Sequence, residues 1–226
     1  EDKLNELKSE LEEHYSVSVL VIAKDLTSPT AAREIFEAVK TEGIDLDFLI
    51  NNAGFGGHGR FHERDWQKEL SQIQLNIRAL TELCHLFMPE FVKRNSGRIL
   101  NVSSTASLAP GGPLQSVYYA TKHYVTAFSY GIAGELEGTN VTVTTLMPGA
   151  TETEFASTSG MDKTELFSKT ASANSVARDG YDAMLAGKLD VVSGLTFSQK
   201  LMMPAMNFMP RKMVLKQIHK MQEANE

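Results

Sequence analysis

The sequence predicts an α/β protein, a parallel sheet with helices packed on both of its faces. Two observations predict it. Short apolar, β-branched runs alternate with stretches of helical periodicity along the chain, which is the pattern of βαβ units. Four polar or glycine-containing motifs also fall at the carboxyl ends of those runs: Asp25, Asn51 to Gly54, Ser103-Ser104 and Pro148-Gly149. Ligands of such sheets bind outside the carboxyl ends of the strands. The 226 residues suffice for a substantial core, and no repeat, linker or low-complexity tract divides them, so 1–226 reads as a single domain.

The elements follow in order. Leu4, Leu7 and Leu11 recur at helical spacing among charges in residues 1–14, and no strand precedes them. Val17 to Ala23 (VSVLVIA) is a nearly continuous β-rich run, the mark of a strand buried on both faces. Pro29 to Val39 is a helix, with Thr27 or Ser28 as cap and Pro29 in its first turn. Leu46 to Ile50 is a strand, followed by a glycine-rich loop through Gly59. A long helix covers Asp65 to Lys93, with Leu70, Ile73, Ile77, Leu80, Leu83 and Phe87 on one side and Pro89 placed to kink its end. Arg98 to Val102 is a strand, Tyr118 to Leu136 a helix, and Val141 to Leu146 a strand. Residues 151–171 are polar and poorly periodic around a short helix at Lys163 to Lys169, and their place after a strand end suggests a substrate lid. Ser175 to Ala186 is a helix and Leu189 to Val192 a last strand.

Composition excludes several functions. Hydrophobic residues make up 42% and charged residues 22%, as in a soluble globular protein. A net charge of -6 gives no electrostatic basis for nucleic-acid binding. Cys84 is the sole cysteine, which excludes an internal disulfide and suits a reducing, cytoplasmic setting. No apolar run is long enough to cross a bilayer, and the first residues do not read as a signal peptide. Asn101 and Asn140 match the N-x-[ST] pattern by chance, in or beside strands.

The chemistry concentrates between Gly97 and Lys122. A phenol titrates near 10 and is a poor acid or base at neutral pH. Lys122 follows Tyr118 by four residues, on the same helix face, where its charge would favour the phenolate. A serine hydroxyl at the same place could hold a carbonyl or alcohol oxygen. Tyrosine and lysine at this spacing are also common without function, and two serines equally close a strand. The other strand ends give the functional reading its weight.

Those residues together resemble a classical short-chain dehydrogenase/reductase. Asn51-Asn52-Ala53-Gly54 is similar to the family's NNAG motif, Asn76 in QLNIRA to its helix asparagine, and Ser104 to its catalytic serine. Tyr118 and Lys122 match its YxxxK pair, and Pro148-Gly149 with Thr153 its PGxxxT segment. The resemblance implies a Rossmann-like doubly wound parallel sheet and hydride transfer between a nicotinamide cofactor and a carbonyl or secondary alcohol. It implies NADP, with NAD possible, because the subgroup resembled uses NADP. Tyr118 would move the proton, Lys122 would hold the nicotinamide ribose and lower the tyrosine pKa, Ser104 would orient the substrate, and Asn76 would hold a helix kink and a water-linked proton path. Asp25 and Leu26 would lie near the adenine, and Asn52, Ala53 and Gly54 in the cofactor cleft. Pro148, Gly149, Ala150, Thr151 and Thr153 would lie near the nicotinamide and pyrophosphate. A homodimer or homotetramer through the two long helices is also implied.

The sequence departs from the family in two ways. The Ser104–Tyr118 spacing is one residue longer than the commonest, so Thr105 is the fallback hydroxyl. Tyr119 adjoins Tyr118 but has no lysine four residues on. The family's first strand, glycine-rich loop and second strand have no counterpart here, and that loop cradles the pyrophosphate at a helix N-terminus. The expectation is a fragment of a longer chain that binds a dinucleotide poorly, with an open groove or disrupted sheet at its front. Val17–Ala23 would then need another partner, through domain exchange for example.

The tail, 198–226, carries Met202, Met203, Met206, Met209 and Met213 at near-helical spacing, broken by Pro204 and Pro210, with Lys200, Arg211, Lys212, Lys216 and Lys220 beside them. It packs on the core, caps a hydrophobic pocket or dimer surface, or rests on a membrane surface; methionine suits each. Cys84 reads as packing, His58 and His62 as solvated, Trp66 as packing at a helix start. No metal set is present. The alternative to an enzyme is a non-catalytic dinucleotide-binding or assembly module on the same fold.

Overall fold

The computed structural model describes residues 1–162, 164–168, 170–196, 199, 203 and 206–223. Lys163, Lys169, Lys200, Met202 and Pro204, named above, lie outside the described residues.

Four parallel strands form one sheet in the order β1 (Phe48–Asn51), β2 (Gly97–Val102), β3 (Val141–Pro148), β4 (Asp190–Ser193). Between them run α3 (Trp66–Ile73), a π-helical segment (Gln74–Ala79) continuous with α4 (Leu80–Arg94), α5 (Ser116–Glu135), α6 (Phe155–Ser159) and α7 (Ala173–Leu185). Before the sheet come α1 (Asp2–Tyr15) and α2 (Ala31–Thr41), and α8 (Arg211–Gln222) ends the described chain.

Successive strand residues point to opposite faces, and the core divides accordingly. Ile99, Val141 and Val143 pack with Val39, Leu83, Phe87, Phe91 and Val125 of α2, α4 and α5. Leu100 and Leu146 face the other way, against Val176 and Met184 of α7. The central β2 and β3 are buried nearly throughout, whereas β1 and β4 are edge strands with mixed exposure. One buried polar chain crosses this core. Asn51 Nδ2 donates to Asn101 Oδ1 at 2.8 Å, and Asn101 Nδ2 donates to Ser129 Oγ at 2.9 Å. The two asparagines are register partners in β1 and β2, so the pair fixes the strand ends that carry the site. Asn101 is fully buried and unavailable to a glycan. Cys84 is buried beside it and its thiol is pushed up to about 12 by desolvation, which makes it an inert packing residue.

The structure corrects the front of the chain. Val17–Ala23 is not a strand; it runs irregularly, with Val17 and Leu20 exposed and Ile22 packed against the core. A strand needs a ladder partner for its backbone groups, and among the described residues none pairs with this stretch. The outer edge of β1 is likewise unpaired there, with Phe48 and Ile50 exposed. The helix after it starts two residues later than expected, at Ala31, with Thr30 in the cap position; its Oγ1 donates to Glu34 Oε1 at 2.6 Å and accepts from no backbone N–H of the first turn. In the segment after β3, the expected helix gives way to the short 3-10 turn Glu165–Phe167, and α6 forms earlier. Trp66 stands exposed on the first turn of α3, not packed.

Candidate active site

Three strand ends and the start of α5 meet at one place. β2 ends at Val102 and delivers two serines with different fates. Ser103 turns inward, its Oγ bonded to Lys122 O at 2.9 Å and to Thr126 Oγ1 at 2.7 Å. Ser104 caps the following 3-10 turn, accepting from Ala106 N at 3.1 Å, and lies 3.4 Å from Pro148 O at the end of β3. It also lies near enough to the Tyr118 phenol to pull its pKa down. Geometry therefore brings Ser104 to the tyrosine, across the longer spacing.

Tyr118 and Lys122 lie on the inner face of α5, 9% and 5% exposed. Lys122 Nζ donates to Val102 O at 2.8 Å and sits 5.8 Å from the centroid of the Tyr118 ring. Burial lowers the lysine to about 8. The expected acidic phenol is not found: burial pushes Tyr118 up to about 12, and the Ser104 hydroxyl offsets only part of that. Desolvation disfavours any charged form, and at this separation it outweighs the lysine. Near neutral pH the pair is a phenol beside an ammonium.

Asn76 occupies the π-helical segment, a distortion often found at functional sites. Its Nδ2 donates to Phe55 O at 2.9 Å and to Thr121 Oγ1 at 3.1 Å, and its Oδ1 accepts from Phe55 N at 3.1 Å. Asn76 thus ties the loop after β1 to α5. Thr121, unremarked in the sequence, completes this tie by donating to Tyr118 O at 2.8 Å. The loop glycines permit the approach. A Cβ on Gly54 would lie 3.1 Å from Asn76 Oδ1 and 3.4 Å from Lys122 Nζ; one on Gly56 would lie 2.8 Å from Phe155 and 3.3 Å from Tyr118.

The remaining site residues fall into two groups. Leu26, Asn52 and Ala53 line a groove of about 70 Å³ at the end of β1, with Ile50, Leu75 and Ala79 among its walls. Gly149 to Thr153 lead away from β3: Ala171 N donates to Ala150 O at 2.9 Å, Thr151 Oγ1 donates to Gly149 O at 2.9 Å, and Thr153 Oγ1 accepts from Phe155 N at 3.2 Å. Asp25 joins neither group. Its carboxylate is turned into its own chain, accepting from Thr27 N at 2.9 Å and Thr27 Oγ1 at 2.8 Å, and those bonds hold it below the usual carboxylate range.

Two further features border the site. Phe155 of α6 lies against Tyr118, ring centroids 5.3 Å apart. The tail also returns to the site: Met206, Met209, Val214 and Ile218 join Ala106, Ala109, Tyr118, Tyr119 and Phe155 in one apolar cluster. His58 is not solvated; its Nε2 lies 2.7 Å from Gln222 O. His62 is exposed beside Glu63.

The residues fit a ribose-bearing cofactor on the Tyr118 side. A lysine ammonium has three donors; Lys122 spends one on Val102, and among the described residues no carboxylate pairs with it. A buried cation with donors to spare, beside a space kept open by Gly54, suits a pair of hydroxyls.

A family model described as short chain dehydrogenase matches residues 1–164. The 7beta-hydroxysteroid dehydrogenase of Collinsella aerofaciens is 32% identical over 153 residues, 68% of this chain and 57% of that enzyme. The NADP-dependent 3-hydroxy acid dehydrogenase YdfG of Salmonella typhi is 36% identical over 163 residues, 69% of this chain and 62% of that enzyme. The matches thus span less than two thirds of either relative. Among solved structures, a short-chain dehydrogenase from Sphingobium yanoikuyae in complex with NADPH superposes with a TM-score of 0.80 at 26% identity, over 99% of this chain and 85% of that one.

Proposed function

This chain belongs to the short-chain dehydrogenase family, and we propose on that premise that it serves an oxidoreductase that reduces a carbonyl compound with NADPH. The single observation that carries the reading is the Ser104–Tyr118–Lys122 cluster, held at the ends of β2 and β3 and tied by Asn76 to the loop after β1. NADP is favoured over NAD by the relatives and by the NADPH complex among the similar structures.

The bound cofactor supplies the hydride. The protein's part is the proton and its placement. Tyr118 is the acid: a phenol raised to about 12 stays protonated at neutral pH and is set to give its proton to a carbonyl oxygen as charge develops there. Ser104 donates to the same oxygen and fixes its position relative to Tyr118. Lys122 would hold the ribose hydroxyls with its spare donors, and its positive charge would stabilise the phenolate left after proton transfer. Asn76 positions the loop facing Lys122. Leu26, Asn52, Ala53 and Gly54 line the cofactor cleft, and Pro148 to Thr153 flank the nicotinamide. The exposed face lined by Arg78, Thr81, His85 and Tyr124 is the surface through which two or four copies would associate.

Titration of NADPH and NADH into the protein, followed by turnover with a panel of ketones, tests the reading. NADPH binding with consumption by at least one ketone is expected. Binding of neither nucleotide by the native-length protein would sink it.

A further inference from the structure

Gln222 joins three stretches of chain that are far apart in sequence. It is the last residue of α8 and is 1% exposed. Its Nε2 donates to the Tyr119 hydroxyl at 2.9 Å, across 103 residues, and its backbone carbonyl lies 2.7 Å from His58 Nε2, across 164. Tyr119 is the neighbour of Tyr118. His58 belongs to the loop that carries Gly54 and Gly56, and its own carbonyl accepts from Arg64 Nη1 at 2.6 Å. Arg64 is ion-paired with the buried Glu69 of α3. One residue therefore fastens α8 to the helix of the acid and, through His58, to a loop braced on α3.

Apolar packing alone would not give this. Val214 and Ile218 hold α8 against the cluster by contacts that are non-directional and tolerate sliding. Burying a glutamine amide costs free energy unless it is bonded, and Gln222 Oε1 has no partner among the described residues. A leucine at this position would pack at less cost. What the glutamine side chain adds is registry, because its bond to the Tyr119 phenol accepts only one placement of the helix; the His58 bond goes to the backbone carbonyl, which any residue here would supply. That placement sets Met206 and Met209, just before α8, at the edge of the Tyr118 cluster, where Phe155 also packs. All three are only partly buried beside that cluster, and apolar ligand surface would be drawn to what they leave exposed.

We propose that Gln222 is a positioning residue: it clamps α8 to Tyr119 and His58 so that Met206 and Met209, with Phe155, wall a pocket for a bulky, uncharged, apolar carbonyl compound. The clamp stands on the contacts alone, while the carbonyl chemistry rests on the oxidoreductase reading.

The test uses the full chain and two ketones, a neutral fused-ring ketone and cyclohexanone. Gln222→Leu and Tyr119→Phe remove the same hydrogen bond from opposite ends. In each variant the amides of 211–222 should exchange with deuterium at least about tenfold faster than in the wild type, as expected when a local anchor is lost. KM for the fused-ring ketone should rise about tenfold, while kcat for cyclohexanone stays within about twofold. The double variant should cost no more than either single one, because both act on one bond. In the wild type, the fused-ring ketone should also slow exchange across α8. Unchanged exchange in the variants would overturn the clamp. Equal effects on the two ketones, or no effect on either, would overturn the pocket. If the wild type consumes no NADPH with either ketone, the oxidoreductase reading fails, and exchange with and without the fused-ring ketone still decides clamp and wall. Should Gln222→Leu not fold, Tyr119→Phe decides alone.

Discussion

Replacing Lys122 with methionine should yield a protein that is more stable near neutral pH and catalytically dead. Burial lowers this amine from 10.5 to about 8. One pKa unit is worth about 1.4 kcal/mol, so carrying the ammonium into the fold costs about 3 kcal/mol at neutral pH. Methionine keeps an unbranched stem of similar size and forgoes the bond to Val102 O, a loss of about 1 kcal/mol. The variant should therefore gain about 2 kcal/mol near pH 7. The pH dependence fixes the cause. Below pH 8 both folded and unfolded lysines are charged, and the penalty is fully present. Between about 8 and 10.5 the unfolded chain holds the proton that the folded one has released, so wild-type stability rises with pH across that window. The variant lacks this rise, and the gap should close to under about 1 kcal/mol near pH 9.5. At higher pH, Tyr118 and Tyr119, both pushed up to about 12, work in the opposite sense in both proteins, because the unfolded phenols ionise first. Urea unfolding at the two pH values measures the gap. Parallel pH profiles, or a variant less stable near pH 7, would refute the claim that the lysine sits there at an energetic cost. Turnover should fall at least about a hundredfold, the scale of a lost acid–base contribution.

The other substitutions separate chemistry from architecture. Tyr118→Phe should lower kcat by about two to four orders of magnitude while leaving NADPH affinity within a few-fold, checked by steady-state kinetics and nucleotide titration. Ser104→Ala removes the cap on Ala106 N and the hydroxyl beside Tyr118; it should cost about 1 kcal/mol in thermal unfolding and most of the activity, and the intact Thr105 should not rescue it. Asn76→Ala frees Phe55 N, Phe55 O and Thr121 Oγ1; with Phe55 partly reachable by water, a loss of about 2 to 3 kcal/mol is expected, together with faster deuterium exchange in residues 54–59.

How far the sequence could be read follows from which forces shape each part. Apolar periodicity and strand-end motifs are local, so the parallel sheet with strands at β1 to β4, the long helix around Asn76 and the gathering of Ser104, Tyr118 and Lys122 were all legible. Ser104, which the longer spacing left beside Thr105 as a candidate, caps the turn that follows it. Val17–Ala23 failed for the opposite reason. Its composition is that of a buried strand, but a strand exists only as one side of a ladder, and among the described residues nothing lies alongside to pair with it. Composition set the propensity and the missing neighbour decided the outcome. The phenol's pKa failed similarly: the spacing of Tyr118 and Lys122 shows that they share a helix face, but not that burial would overrule the charge between them. The clamp at Gln222 lay furthest out of reach. A glutamine in a basic, methionine-rich tail looks solvated, and only a fold that brings residues 58, 119 and 222 together makes it a buried anchor. The candidate site residues were thus visible because the chemistry proposed for them restricts their identity and spacing. The contact that holds the tail was not, because a bond across 103 residues leaves no pattern in either segment alone. The same asymmetry predicts where the family's members should diverge in specificity: in the partners that hold the tail, ahead of the tyrosine that it packs against.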